Sequence, residues 1–469
     1  MYQEFQKGSL MKRILSLVLC MLLIITGLFS IPVFAEPAAD GTALADQTAV
    51  VDPNDPFPDI DSVLILDPRT GDVIFEKNAD VTRYPASTTK ILTALIALER
   101  CQLDEQVTIS YNASHTEGSR IYLLEGEVVT IEQLLYALLV ESANDAAIAL
   151  AEHIGGSVEA FADIMNARAQ ELGMVNSHFV TPNGLHDDLH YVTPRDLSLV
   201  AMEAMKNETF RTMVTTYKYV MGPTNMQSET RYLYNSNKML VGGPKEYEGI
   251  QGIKTGYTSV AQASLVAQAE RNGMRVMAVI MHTDHYTLFD KMTNVLNYAY
   301  NNFAPVNIVP AGQVAKQAKI KKGSENKVPL QLNDAVNVIA KVVDGVADCN
   351  VSDYSYKVKT AALTAPVTAG DKGGTLTLYR KGEAISTYDL YVMEDVPLSG
   401  IQKFVKWWKE SLPGFFKVVI VLVILVAAAY VTLMVLVKKR QKEQMKKRME
   451  LREKRRRISE EDDESSKSS

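Results

Sequence analysis

Residues 418–437 hold twenty consecutive uncharged and mostly apolar side chains. As a helix such a run is ~30 Å long, enough to cross the hydrocarbon core of a bilayer. Lys438-Lys439-Arg440 follow at once, which assigns that end to the cytoplasm by the positive-inside rule. Both tryptophans, Trp407 and Trp408, stand just before the run among Lys403, Lys406 and Lys409. This spacing predicts an interfacial segment at 401–417, a single transmembrane helix at 418–437 and a basic and acidic cytoplasmic tail at 438–469. The tail reads as a solvated stretch, with 13 basic and 8 acidic residues.

The other end carries a second apolar run. Lys12-Arg13 precede Ile14–Phe29, and Val33-Phe34-Ala35 supply a small residue at the cutting point. A basic start, a short apolar stretch and such a site predict a signal peptide over 1–35, with Met11 as the better initiator. The body between signal and tail carries a formal −13, so nucleic acid is excluded as a general partner. After signal removal two cysteines remain, Cys101 and Cys349. Two cannot build a disulfide scaffold, and both are expected to be free thiols.

Residues 36–57, rich in Ala, Asp, Pro and Thr, read as a linker. Ser62–Leu66 and Asp72–Glu76 around Pro68–Gly71 read as a hairpin. A helical block follows, with apolar residues at three-to-four spacing over Lys90–Cys101, Ile131–Val140, Asp145–Ile154 and Val158–Leu172. Ala263–Arg271 and Met274–Met281 flank Asn272-Gly273, a strong hairpin signal, and Lys291–Asn301 predicts a closing helix. The expected class is α/β (α+β), a sheet with helices packed on it over 58–303. Residues 306–396 alternate in short runs and predict a small all-β, sandwich-like domain.

Three short motifs carry chemistry. Ser87-Thr88-Thr89-Lys90 opens an apolar helix. A serine hydroxyl needs a base to take its proton, and a lysine three residues on, if neutral, supplies one. The bland alternative is a plain helix cap at Ser87. Ser142-Ala143-Asn144 sits between two apolar helices. Lys254-Thr255-Gly256 precedes a strand hairpin, where Lys254 and Thr255 are candidates to hold a carboxylate and Gly256 lets a substrate backbone approach. Their order and contexts form the signature of penicillin-recognising serine enzymes.

With Tyr84–Lys90, Ser142–Asn144, Thr181–Asp187, Thr193–Leu197 and Gly252–Tyr257, residues 58 to 303 resemble the D-alanyl-D-alanine carboxypeptidases, the low-molecular-mass penicillin-binding proteins of peptidase family S11. The resemblance implies a penicillin-recognising serine transpeptidase/β-lactamase-like domain with Ser87 as nucleophile, Lys90 as base and Ser142 as proton relay. It implies that Asn144, Lys254, Thr255 and Gly256 bind substrate, and that the backbone N–H groups of Ser87 and Tyr257 form the oxyanion hole. Peptidoglycan stem peptides are the implied substrates, β-lactam antibiotics the inhibitors and the outer face of the bacterial cell membrane the location. No metal and no organic cofactor is expected. Two departures from the family stand out, Ala261-Gln262-Ala263 after Lys-Thr-Gly and His282-Thr283-Asp284-His285, where an arginine is common.

A class A β-lactamase is excluded because the deacylation loop has the wrong spacing around Glu171. A non-catalytic wall-binding or scaffold protein, or a DD-endopeptidase, remains as an alternative. The pairs His186/His190 and His282/His285 read as loops rather than zinc ligands.

Overall fold

A computed structural model describes residues 54–411 and 413–467. The expected signal peptide and the linker before Asn54 lie outside them. Five strands form an antiparallel sheet: β1 (Ser62–Leu66), β2 (Val73–Lys77), β3 (Ile250–Thr258), β4 (Gln262–Arg271) and β5 (Met274–Thr283), in the order β2-β1-β5-β4-β3. Asn272 and Gly273 both take positive φ, 51° and 78°, the geometry of the tight turn that joins β4 to β5.

Successive side chains on a strand point to opposite faces, and here both faces are covered. Leu64, Leu66, Met277, Val279 and Met281 pack into the helical layer. Val63, Ile65, Val276, Ala278 and Ile280 pack on the other side, against the helix Leu288–Asn302. That helix offers Leu288, Met292, Val295, Leu296 and Ala299, one apolar stripe of helical period. The result is a helix–sheet–helix sandwich.

Two helices of the larger layer matter for chemistry, α1 (Lys90–Arg100) and α2 (Asn144–Gly155). Both are apolar over most of their surface and sit deep in the helical layer, so their first residues, Lys90 and Asn144, are carried into the interior. β3 is the outer strand of the sheet. An outer strand has one row of backbone groups unpaired by the sheet, and this row adjoins the turn that precedes α1.

From Phe303 the chain forms further strands, ending in the hairpin Lys372–Arg380/Glu383–Val392, around a separate apolar core of Val328, Leu330, Leu376, Leu378 and Leu390. This part docks on the turns of the sheet. Arg380 donates two hydrogen bonds to Asp72 (2.9 and 2.7 Å), Ser386 Oγ donates to the Arg69 carbonyl (2.6 Å), and Asn337 Nδ2 donates to the Gly273 carbonyl (3.1 Å). Cys101 and Cys349 are free.

The helix Gly400–Glu410 exposes Ile401, Phe404 and Trp407. Beyond it one helix runs from Gly414 to Lys467, and its apolar part reaches a mean hydropathy of 3.1 with no burial, consistent with membrane anchoring. The tail, read as a solvated stretch, continues that helix. Residues 438–457 contain neither glycine nor proline and are dominated by Lys, Arg, Glu, Gln and Met, all good helix formers.

Candidate active site

Ser87 caps no helix. It lies inside a one-turn 3-10 helix, Ala86–Thr89, whose cap position is Pro85 and which has no side-chain cap. Ala86, just before it, is held at φ +47°, a conformation that costs a non-glycine residue about 1–3 kcal/mol and persists only where its surroundings enforce it. The enforcing neighbours are two glycines. A Cβ on Gly184 would fall 1.8 Å from the Ala86 carbonyl oxygen, and one on Gly256 would fall 2.8 Å from the Pro85 oxygen and 3.2 Å from Ser87 N. The room that a side chain at Gly256 would need is therefore filled by the turn that carries Ser87.

Gly184→Ala tests this packing. Gly184 also has φ +80°, so alanine adds backbone strain to a clash that the turn itself must relieve. Expected are a loss of about 2–4 kcal/mol in unfolding free energy and a fall of about 100-fold in kcat/KM from displacement of Ser87. Thermal denaturation and peptide kinetics on the same preparation check both. An unchanged Tm would show that the turn is not wedged.

Lys90 Nζ lies 2.8 Å from Ser87 Oγ, 2.7 Å from Asn144 Oδ1 and 2.7 Å from the Asn183 carbonyl oxygen. The last two only accept. Asn144 is oriented by its own amide, which donates to the Glu117 carbonyl at 2.7 Å, so Oδ1 must face Lys90. A neutral amine has two protons and one lone pair. If both protons go to Asn144 and Asn183, the lone pair is left for the Ser87 hydroxyl. Lys90 is fully buried, and burial first, then the charge of Lys254, holds its pKa well below the ordinary lysine value, with Asp145 opposing.

The loop opposite is tied to α2. Asn144 N donates to the Ser119 carbonyl at 2.6 Å. Buried Asp145 accepts backbone N–H groups from Ile121 (3.3 and 3.1 Å) and Leu123 (3.1 Å). Burial raises its pKa and those hydrogen bonds oppose the rise. Ser142 stands just before, at φ +63° and largely buried. Its hydroxyl has no hydrogen-bond partner among the described residues.

On β3, Lys254 is buried, donates to the Thr255 carbonyl at 3.2 Å, and is lowered by burial to about 7, with Glu141 opposing. Thr255 Oγ1 is 2.6 Å from Ser236 Oγ. The sequence reading gave no role to Ser236, Glu117 or the Asn183 carbonyl. Asn183-Gly184 is at least a turn signal, whereas a backbone carbonyl has no signature at all.

Of the histidine pairs read as loops, His282 instead lies in β5, while His186, His190 and His285 lie outside helices and strands. His190 is buried, and its Nδ1 accepts N–H groups from Val180 and Thr181, both at 3.1 Å. Nε2 therefore carries the proton and donates to Thr89 Oγ1 at 2.9 Å. Burial lowers its pKa to about 3, so both ring nitrogens of a neutral imidazole are occupied. His186 sits against the Tyr84 ring, and His285 against the Tyr257 ring. Among the described residues, Cys101, Glu105 and His153 bring ligand-type atoms within 4.8 Å of one another. They lie beyond the far end of α1 from Lys90.

The fold is that of the penicillin-binding DD-peptidases. DacD, a D-alanyl-D-alanine carboxypeptidase from Francisella tularensis, superposes with a TM-score of 0.52 at 27% identity, covering 78% of this chain and 99% of that one. Penicillin binding protein 5 from Haemophilus influenzae gives 0.51 at 26%, covering 72% and 98%. Residues 50–285 match the family described as D-alanyl-D-alanine carboxypeptidase, and residues 303–398 match the penicillin-binding protein 5 C-terminal domain. The D-alanyl-D-alanine carboxypeptidase DacF of Bacillus subtilis (strain 168) is 30% identical over 403 residues, 84% of this chain and 97% of that relative. The chain belongs to the D-alanyl-D-alanine carboxypeptidase family, whose serine enzymes act through an acyl-enzyme and are inhibited by penicillin.

Proposed function

We propose that this chain removes the terminal D-alanine from peptidoglycan stem peptides through an ester on Ser87. The observation that carries this reading is a buried lysine amine, 2.8 Å from Ser87 Oγ, with acceptors for both protons of its neutral form. Ser87 Oγ attacks the carbonyl carbon between the last two D-alanines while Lys90 Nζ takes the hydroxyl proton. The N–H groups of Ser87 and Tyr257 hold the oxyanion, a contribution often worth about 3–4 kcal/mol per donor. The C–N bond then breaks, and the leaving amine takes its proton from Lys90 by way of Ser142. A water, deprotonated by Lys90, cleaves the ester and restores Ser87.

Lys254 and Thr255 hold the substrate carboxylate, with Ser236 fixing the Thr255 hydroxyl. Asn144 spends its carbonyl on Lys90 and its amide on Glu117. Its part is to aim the base, and contact with substrate backbone requires exchange of one of these bonds. A β-lactam ring amide acylates the same oxygen.

The same reading assigns 1–35 to a cleaved signal, 58–303 to catalysis and 306–396 to a membrane-proximal spacer. A single pass at 418–437 then leaves the catalytic part outside and residues 438–469 in the cytoplasm.

The detergent-solubilised chain is to be incubated with Nα-acetyl-L-Lys-D-Ala-D-Ala and, separately, with a cross-linked muropeptide dimer. Release of D-alanine from the first supports the carboxypeptidase. Cleavage of the dimer alone makes it an endopeptidase, and no cleavage of either leaves a wall-binding protein.

The two lysines also set a pH profile. Lys90 must be neutral, so kcat/KM rises with pH as it loses its proton. Lys254 must be charged to hold a carboxylate, so kcat/KM falls again as the free enzyme passes about pH 7. A bell is expected, with its alkaline limb near pH 7, and that limb disappears in Lys254→Gln. A wild-type profile that stays flat above neutrality would remove Lys254 from carboxylate binding.

A further inference from the structure

We propose that Cys101, Glu105 and His153 bind one divalent transition-metal ion, zinc by the chemistry of the set, and that the ion ties the far ends of α1 and α2 together. The inference is independent of the carboxypeptidase reading.

The three residues meet because two helices end side by side. Cys101 is the C-cap of α1, its N–H donating to the Ala97 carbonyl at 3.0 Å. His153 stands in the last turn of α2, and Glu105 immediately precedes the strand Gln106–Thr108. One ligand-type atom from each lies within 4.8 Å of the other two, and His153 Nε2 is 3.3 Å from Glu105 Oε2. A tetrahedral zinc ion holds its sulfur, nitrogen and oxygen ligands about 3–4 Å from one another. Side-chain adjustments of about 1 Å therefore close the set around an ion. His153 is exposed, which leaves room for a water as the fourth ligand.

The loop is shaped by the protein's own bonds. Glu105 Oε1 accepts from Gln102 N, which leaves Oε2 toward His153. The Glu105 carbonyl accepts from Ile131 N and the Leu103 carbonyl from Glu132 N, both at 3.0 Å. The local field has the right sign as well. The end of a helix carries partial negative charge that favours a cation, and two helices of eleven and twelve residues end at this cluster.

The ligand types name the ion. Magnesium and calcium take oxygen, whereas a thiolate and an imidazole together suit zinc. Cys101 is in no disulfide, so its thiol is available. Binding replaces the S–H bond by a sulfur–metal bond and releases the proton to solvent. Lys90 and Asn144 open the same two helices, and the length of α1 separates Lys90 from Cys101 by ~16 Å. The ion therefore acts on the fold and not on the reacting atoms.

The test strips the untagged full chain in detergent with a chelator and titrates it with Co²⁺ alone. Saturation at one ion per chain is expected, with a near-ultraviolet thiolate-to-cobalt absorption band. Cys101→Ser and His153→Ala are each expected to weaken binding ~100-fold or more, because loss of even an outer hydrogen bond costs a metal site about 10–100-fold. Zn²⁺ is expected to displace Co²⁺ and to raise the Tm of the wild type by roughly 2–5 °C, with no rise in either variant. His153 is exposed, so its variant keeps the test decisive if Cys101→Ser folds poorly. A wild type without the thiolate band overturns the site. Undiminished Co²⁺ affinity in His153→Ala also overturns it, since the ion would then sit elsewhere. A Tm that zinc leaves unchanged overturns the tie between the helices.

Discussion

Ser87→Ala is expected to abolish both D-alanine release and covalent labelling by a fluorescent penicillin while leaving the fold intact. Removal of the attacking oxygen eliminates the ester, so no rate passes through the acyl-enzyme, and a loss of at least ~10⁴-fold in kcat is expected. The protein tolerates the change because Ser87 Oγ caps no helix. Its contact within the protein is with Lys90 Nζ, which keeps Asn144 Oδ1 and the Asn183 carbonyl. The residue is also partly exposed, so the lost methylene-scale packing is small. Tm should therefore stay within about 2 °C. Labelling is read on a denaturing gel, where only an ester survives. A variant that keeps more than about one hundredth of the release rate would place the nucleophile elsewhere.

The second large effect is at Lys90. Lys90→Met keeps the length and apolar stem of the side chain but removes the amine, and loss of a general base costs about 10²–10⁴-fold. The upper end is expected here because, in the proposed mechanism, the same amine serves acylation, proton return and deacylation. Stability has opposing contributions. The buried amine no longer has to be desolvated, but Asn144 Oδ1 and the Asn183 carbonyl lose their donor, at about 1–3 kcal/mol each. The activity loss should therefore far exceed any change in Tm.

Lys90→Arg separates charge from basicity. Guanidinium stays protonated in proteins, so it restores positive charge to the site without supplying a base. It is expected to leave activity as low as in the methionine variant, read as D-alanine release under single-turnover conditions. Recovery above about one tenth of the wild-type rate would mean that Lys90 acts by charge alone, and the mechanism above would fail.

Much of the architecture was legible along the chain. The β4–β5 hairpin follows from Asn272-Gly273 between alternating apolar runs, and the structure places its turn there. The spacing over 90–101 and 131–140 yields helices at Lys90–Arg100 and Ile131–Leu139. Both are local effects, in which the period of apolar residues reports how many faces of an element are covered. The tail, read as a solvated stretch, is exposed over residues 438–457, but that reading left its backbone conformation open. High charge signals solvent exposure but says little about backbone conformation, and 438–457 lacks the residues that would end a helix.

The site was legible only as residue types in order. Ser87, Ser142 and Lys254 gave the class of chemistry, but a motif cannot say what surrounds it. The local reading allowed a plain helix cap at Ser87, and the fold instead buttresses that turn with Gly184 and Gly256, about a hundred and about 170 positions away. Asn183 enters through a backbone carbonyl, a group that every residue has.

By itself, then, the sequence determined a helix long and apolar enough to cross a bilayer, the layered fold and the family signature, because each depends on hydropathy or on residue identity over a short stretch. Tertiary structure alone decided that the Lys90 amine is buried and held well below its ordinary pKa. Exclusion of water disfavours the charged amine, and a second cation standing close disfavours it further. Both conditions are met because α1 sinks its first residue into the core while the outer strand brings Lys254 up beside it.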